Sequence, residues 1–175
     1  QIHDLKIIQQ IDGFCFGVDA VLLSNFVTVK KGFKGADFGT GTGIIPILVA
    51  GKSQVSHIYA LEIQEEVAEM ANRSIVLNDL SDKIEVLNIN LKDAQSHIEP
   101  HSLDFITSNP PYIHGMGLTN ENEKKRISRH EIHCTLDDIM KTASKLLKDN
   151  GSFFMIHRPT RLCDIFVSAR NHMLE

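Results

Sequence analysis

The sequence predicts an α/β fold built on a parallel five-stranded sheet. Short runs of β-type residues alternate with helical patterns along most of the chain, and the intervening segments are long enough for crossover helices. A glycine-rich stretch, Asp37-Phe38-Gly39-Thr40-Gly41-Thr42-Gly43, stands where one such run passes into a helical pattern, the place where open α/β sheets take ligands. The 175 residues are 42% apolar and 23% charged, within the globular range and enough for one buried core.

Strands are predicted at 34–38, 57–62, 83–88, 103–108 and 152–157. Helices are predicted at 45–50, 65–78, 136–148 and, as a short piece, 92–97. Over 136–148 the apolar Ile139, Ala143, Leu146 and Leu147 share a face. Asp137 and Asp138 stand near its start and Lys148 at its end, as the helix dipole favours. Ahead of the sheet, residues 5–18 read as a β-hairpin turning at Asp12-Gly13, and Asp19 as the cap of a helix over 20–27. Residues 1–33 would then form a lid over one end of the sheet, and 34–175 the core of a single domain. Residues 158–172 read as a loop and a helix. The opening on Gln1 suggests a trimmed N-terminus, and the uncovered outer edge of the last strand suggests an absent C-terminal portion.

Composition narrows the setting. The longest charge-free apolar stretch, residues 44–51, contains Pro46 and falls short of the about 20 residues needed to cross a bilayer. Cys15, Cys134 and Cys163 are odd in number and form no CxxC pair, which fits a cytoplasmic protein better than a disulfide scaffold. With 18 basic and 22 acidic residues the net charge is −4, so contact with nucleic acid would need a local basic patch. His130 and His133 are three apart, unlike the HExxH pair, and no metal site is expected.

The glycines let the backbone turn sharply and bring a ligand close to the main chain. Glu62, at the end of the second strand, can accept hydrogen bonds from both hydroxyls of a ribose, so the pair reads as a nucleoside site. A dinucleotide fingerprint is disfavoured because Ile44 stands where GxGxxG wants its last Gly or Ala, and no P-loop lysine is present. After the fourth strand comes Asn109-Pro110-Pro111-Tyr112. Its prolines stiffen the backbone and remove two donors, which leaves an acceptor-rich corner. The Asn109 side-chain oxygen and the Pro110 carbonyl can each take one N–H of a planar amine, turning its lone pair toward an electrophile, while Tyr112 stacks on the flat group.

The DxGxGxG spacing resembles the first motif of class I S-adenosylmethionine-dependent methyltransferases, and Asn-Pro-Pro-Tyr resembles the amino-methyltransferase signature of that family, whose members act on adenine N6, guanine N2 and glutamine N5. The resemblance implies the Rossmann-like class I methyltransferase fold and S-adenosylmethionine as cofactor, with S-adenosylhomocysteine as product. It implies that Asp37, Gly39, Thr40, Gly41 and Gly43 hold the methionine end, that Glu62 takes the ribose, that Ile63 packs on adenine and Asn90 contacts its edge, and that Asn109 borders the cofactor. Asn109, Pro110, Pro111 and Tyr112 become the catalytic corner.

The flanks, residues 12–23, Arg126-Ile127-Ser128-Arg129-His130-Glu131 and His157-Arg158-Pro159, look like the bacterial valine-tRNA adenine N6-methyltransferases. That likeness runs over nearly the whole chain, although those proteins usually continue into two further strands of a seven-stranded sheet. It implies a tRNA partner, for which Lys124, Lys125, Arg126 and Arg129 supply charge after the Asn-Pro-Pro-Tyr corner and Lys30, Lys31, Lys34, Arg158 and Arg161 can add to it; Phe16 can stack on base or cofactor, although packing in the core is the commoner role for such a ring. No membrane or metal partner is expected, and the chain is read as a monomer or weak homodimer. Two alternatives stay open: a glutamine N5-methyltransferase of release factors, and a catalytically silent subunit of the same fold that binds RNA or protein.

Overall fold

The computed structural model describes residues 4–10, 16–110 and 134–174. Strands β1 (Lys34–Phe38), β2 (His57–Leu61), β3 (Ile84–Leu87), β4 (Leu103–Ser108) and β5 (Leu147–Met155) form one sheet in the order β3-β2-β1-β4-β5. All four pairings are parallel, as predicted. The chain winds outward from β1 to β3, then returns to start β4 on the other side of β1. The direction of winding therefore reverses between β1 and β4, and the crevice at their carboxyl ends is where such sheets bind ligands.

Two cores flank the sheet. Helices α1 (Val18–Phe26), α2 (Ile44–Lys52) and α3 (Glu65–Leu77) lie on one face, where Leu23, Ile47, Ile75 and Phe105 meet. The other face is covered by the 3-10 turn Leu91–Ser96 and α4 (Leu136–Leu146), where Phe38, Ile98, Ile106 and Leu146 meet. Helix α5 (Leu162–Asn171) follows the short 3-10 turn Pro159–Arg161 and is tied to α4 through Asp137, which accepts from Ser168 Oγ at 3.1 Å and lies 2.8 Å from His172 Nε2. In α2 every residue from Ile45 to Ala50 is buried. The apolar run is thus a helix enclosed on all sides. Lys52 at its end donates to the carbonyls of Ser24 and Val27, closing the last turn of α1. Among the described residues no helix is long and apolar enough to cross a membrane.

Several boundaries differ from the sequence reading. Helix α1 begins at Val18 with Gly17 as its N-cap, so Asp19 does not cap it but sits in the first turn, where its charge suits the dipole. Helix α4 has a capping box between Thr135 and Asp138 but stops at Leu146. Leu147 and Lys148 belong to β5, and Lys148 Nζ lies 2.6 Å from Asp104 Oδ1. Strand β5 starts earlier than predicted because its pairing with β4 skips: Leu103 pairs with Leu147 and Phe105 with Ser152. Residues 5–10, the first arm of the expected hairpin, form no strand. They run along α3 instead, with Lys6 N donating to Asn78 Oδ1 at 2.8 Å and Ile8 N to Ser74 Oγ at 3.0 Å. The Asp12-Gly13 turn lies outside the described residues.

Gly35 on β1 marks the tightest point of the sheet. A Cβ there would lie 2.3 Å from Phe105 Cζ, and that ring is 1% exposed and cannot swing out. Gly35→Ala is expected to cost about 1–3 kcal/mol in urea unfolding, as overpacking does. Phe105→Leu in the same chain should return part of that loss. A Gly35→Ala chain as stable as the parent would contradict this packing.

Candidate functional site

Strand β1 ends in Asp37 and Phe38, and β4 in Thr107 and Ser108, in direct register as Asp37↔Thr107 and Phe38↔Ser108. Gly39 and Asn109 therefore leave adjacent strands side by side at the switch point. The sheet itself brings the glycine loop to the start of the Asn-Pro-Pro-Tyr corner. Asn109 and Pro110 are half-buried there, while Pro111 and Tyr112 lie outside the described residues.

Asp37 is 1% exposed, and its Oδ1 accepts from Thr107 Oγ1 at 2.6 Å. Its Oδ2 and the Thr40 hydroxyl, also buried, have no hydrogen-bond partner. Such orphaned groups are costly and invite a ligand. Burial pushes the Asp37 carboxyl up to about 6, against the pull of the Thr107 and Thr40 hydroxyls, and the neighbouring Glu62 charge raises it further. Thr107 carries no signal of its own in the sequence; the ladder sets it beside Asp37 on one face of the sheet.

The loop is shaped by glycines in the left-handed region: φ is +73° at Gly39, +58° at Gly41 and +86° at Gly43. A Cβ at Gly39 or Gly41 would meet nothing within 4 Å, so open space borders the loop at both, whereas one at Gly43 would press on Ala71 of α3 at 3.4 Å. Gly39 N and Thr40 N donate to Leu61 O at 3.0 and 2.9 Å, and Gly41 N to Glu62 Oε2 at 3.0 Å. Glu62 Oε1 accepts from Gln64 N at 3.0 Å, and its main-chain carbonyl from Asn88 Nδ2 at 2.9 Å. The carboxylate thus fixes the glycine loop and the entry to α3 together, and each of its oxygens keeps a lone pair for a further donor.

Ile63 follows, half-buried. Asn90 caps the 3-10 turn, accepting from Lys92 N at 3.0 Å, so its carboxamide oxygen is partly committed and its NH2 group is the group to offer a ligand.

The other expected residues divide. Phe16 packs on the α1–α2 core and lines a cavity of about 420 Å³ with Leu5, Ile7, Ile44 and Ile47; the apolar demand of that core takes its ring. Lys30, Lys31 and Lys34 precede or open β1 and so lie at the rim opposite the site, where Lys34 Nζ sits 5.0 Å from the Tyr59 ring centroid. They cannot add to charge beside Asn109. Arg161 pairs with Asp164 at 2.7 Å. Lys124, Lys125, Arg126, Arg129 and the His130/His133 pair lie outside the described residues. Among the described residues no cluster of His, Cys, Asp or Glu could hold a metal ion. Burial pushes the Cys134 thiol up to about 12, which leaves it no thiolate at neutral pH.

The model of the family described as methyltransferase small domain matches residues 16–165. A Bacteroides thetaiotaomicron protein named tRNA1(Val) (adenine(37)-N6)-methyltransferase is 33% identical over 149 residues, 85% of this chain and 61% of its own length. A Yersinia enterocolitica protein of the same name is 28% identical over 142 residues, 80% of this chain and 55% of its own. The chain thus spans little more than half the length of these relatives. Among solved structures, the precorrin-6y C5,15-methyltransferase of Geobacter metallireducens superposes with a TM-score of 0.68 at 12% identity, covering 97% of this chain and 78% of that one. A SAM-dependent O-methyltransferase from Thermotoga maritima gives 0.65 at 14%, covering 90% and 51%. Both share the fold.

Asp37 carries a pH signature. Its folded value of about 6 exceeds the ordinary 3.8, so between those values the folded chain holds a proton that the unfolded chain has released. Stability therefore falls as pH rises through that window, and a cost of about 3 kcal/mol stands in full above it. Asp37→Asn should be more stable than the parent at pH 7.5 by up to that amount, with the gap closing toward pH 4. Urea unfolding at the two pH values checks this, and a gap independent of pH would refute it.

Proposed function

Because the chain belongs to the methyltransferase small domain family, we propose that it transfers a methyl group from S-adenosylmethionine to the N6 amine of a tRNA adenine, with the adenine 3′ of a valine-tRNA anticodon as the target. The supporting observation is the register of β1 and β4, which puts the glycine loop beside Asn109. The relatives named above, similar over most of this chain, support the choice of amine. A tRNA substrate carries the cytoplasm with it as the compartment.

The residues fit the cofactor. Asp37 Oδ2 and the Thr40 hydroxyl offer buried, unpartnered polar atoms to the ammonium and carboxylate of its methionine end, and the open space at Gly39 and Gly41 admits it against the main chain. Glu62 would take the ribose hydroxyls on its spare lone pairs, and Ile63 and the Asn90 NH2 group would hold the adenine. When bound, the cofactor supplies an electrophilic methyl on a sulfonium.

The chain's own part is orientation. The Asn109 side-chain oxygen and the Pro110 carbonyl accept the two N–H groups of the target amine and turn its lone pair toward the methyl, while Tyr112 stacks on the extruded base. Stacking contributes about 1–3 kcal/mol toward an extrusion that costs a few. No base is needed before transfer, since the nitrogen becomes acidic once methylated and its extra proton leaves afterwards.

Asn109→Ala should lower turnover of tRNA by about 10²-fold or more, as the loss of one preorganised polar contact does, and leave cofactor affinity by calorimetry within about twofold. Equal loss of both would remove the orienting role. Offering release factor and tRNA side by side tests the substrate: methylated glutamine in place of N6-methyladenine would overturn the RNA reading.

A further inference from the structure

Residues 5–10 form a strap over the groove between α2 and α3. Along α3, Lys6 N meets Asn78 Oδ1 and Ile8 N meets Ser74 Oγ. Those two helical positions are about 6 Å apart along the axis, and two extended residues span about 6.6 Å, so the strap is extended and climbs α3 toward its start. Along α2, Leu5 is seated on Gly51, where a Cβ would come within 2.8 Å of Leu5 Cδ1, and Ile7 lines the cavity with Ile44, Ile47 and Leu48.

Alternation turns the Gln9 side chain to the same side as those of Leu5 and Ile7. Four extended residues cover about 13 Å, the length of about nine residues of helix, which brings Gln9 from the level of Gly51 to that of Gly43. The count along α3 agrees. One strap residue past Ile8 is about two residues past Ser74, beside Ala71, the residue that a Cβ on Gly43 would touch at 3.4 Å. Gln9 thus stands where the glycine loop passes into α2.

The Gln9 amide nitrogen Nε2 is buried and has no hydrogen-bond partner among the described residues. A buried NH2 group with nothing to donate to costs stability until an acceptor arrives. Gly43, the N-cap of α2, brings no side chain to the helix start, and the dipole there favours negative charge. On the cofactor reading, Glu62 serves the ribose, Ile63 and Asn90 the adenine, and Asp37 the ammonium. The carboxylate of the methionine end has two oxygens and so has room for a second donor beside the Thr40 hydroxyl.

We infer that Gln9 binds the cofactor, its side-chain NH2 donating to the carboxylate of the methionine end. This rests on the cofactor reading of the glycine loop. The strap then does more than cover the groove, since it carries a polar group of the site on its far end.

Calorimetry of the full chain with S-adenosylhomocysteine and with its decarboxylated analogue, which keeps the ammonium, the thioether and the adenosine, tests it. Gln9→Met should weaken S-adenosylhomocysteine by about 10-fold or more, the worth of one hydrogen bond to a charged group, and leave the analogue within about twofold. Its melting temperature without ligand should be no lower than the parent's, because an apolar chain replaces an unpaired donor. Gln9→Glu, which sets a carboxylate against the ligand's own, should weaken S-adenosylhomocysteine at least as much. Parental affinity in Gln9→Met, or equal weakening of both ligands with or without a lower melting temperature, overturns the assignment and leaves the cofactor reading untouched. Failure of the parent chain itself to bind S-adenosylhomocysteine overturns that reading and this contact with it.

Discussion

The glycine loop is held in place by one carboxylate. Glu62, 2% exposed at the end of β2, accepts Gly41 N from the loop and Gln64 N from the entry to α3. Carboxylate oxygens accepting main-chain N–H groups make strong hydrogen bonds, and here they clamp a segment whose three left-handed glycines would otherwise sample many shapes. The Leu61 carbonyl beside it takes the amides of Gly39 and Thr40. Asp37 is treated differently. Its burial leaves Oδ2 unsatisfied and lifts its pKa, so the fold gives up stability at one carboxylate and gains order from the other. A site that must receive a charged, polar guest needs both: a frame that does not move and a group that is better off once the guest arrives.

Much of this was legible in the sequence. The five strands came from runs of residues suited to a sheet buried on both faces, and β1 and β4 agree with the structure to the residue. Asp37, the glycines, Glu62 and the start of the Asn-Pro-Pro-Tyr corner were singled out because chemistry of that kind sits at strand ends. The structure supplies what spacing could not, the register that sets Gly39 beside Asn109.

What was missed has physical causes. Lys148 follows a helical pattern and carries the right charge for a helix end, yet Asp104, distant in sequence, draws it into an ion pair on β5. The hairpin signal at Asp12-Gly13 is local, whereas Asn78 and Ser74 offer residues 5–10 hydrogen-bond partners that only tertiary packing reveals. Lys30, Lys31 and Lys34 are near the glycine loop in sequence but one strand length away in space, because a parallel strand separates its two rims. Thr107 was passed over because a threonine in a strand is unremarkable until its neighbour across the ladder is known.

The junction of α4 and β5 has no connecting residue: Leu146 closes the helix and Leu147 opens the strand. A residue inserted within the last turn would rotate the preceding helical face by about 100° and lift Ile139 and Ala143 off the sheet, so this seam admits no change in length. The exposed stretch at 148–150, where β5 leaves its register with β4, can take up a residue more or fewer. Lineages that drift in size should record their insertions there while the Leu146–Leu147 step stays constant, a gauge by which the alignment of distant kin can be set.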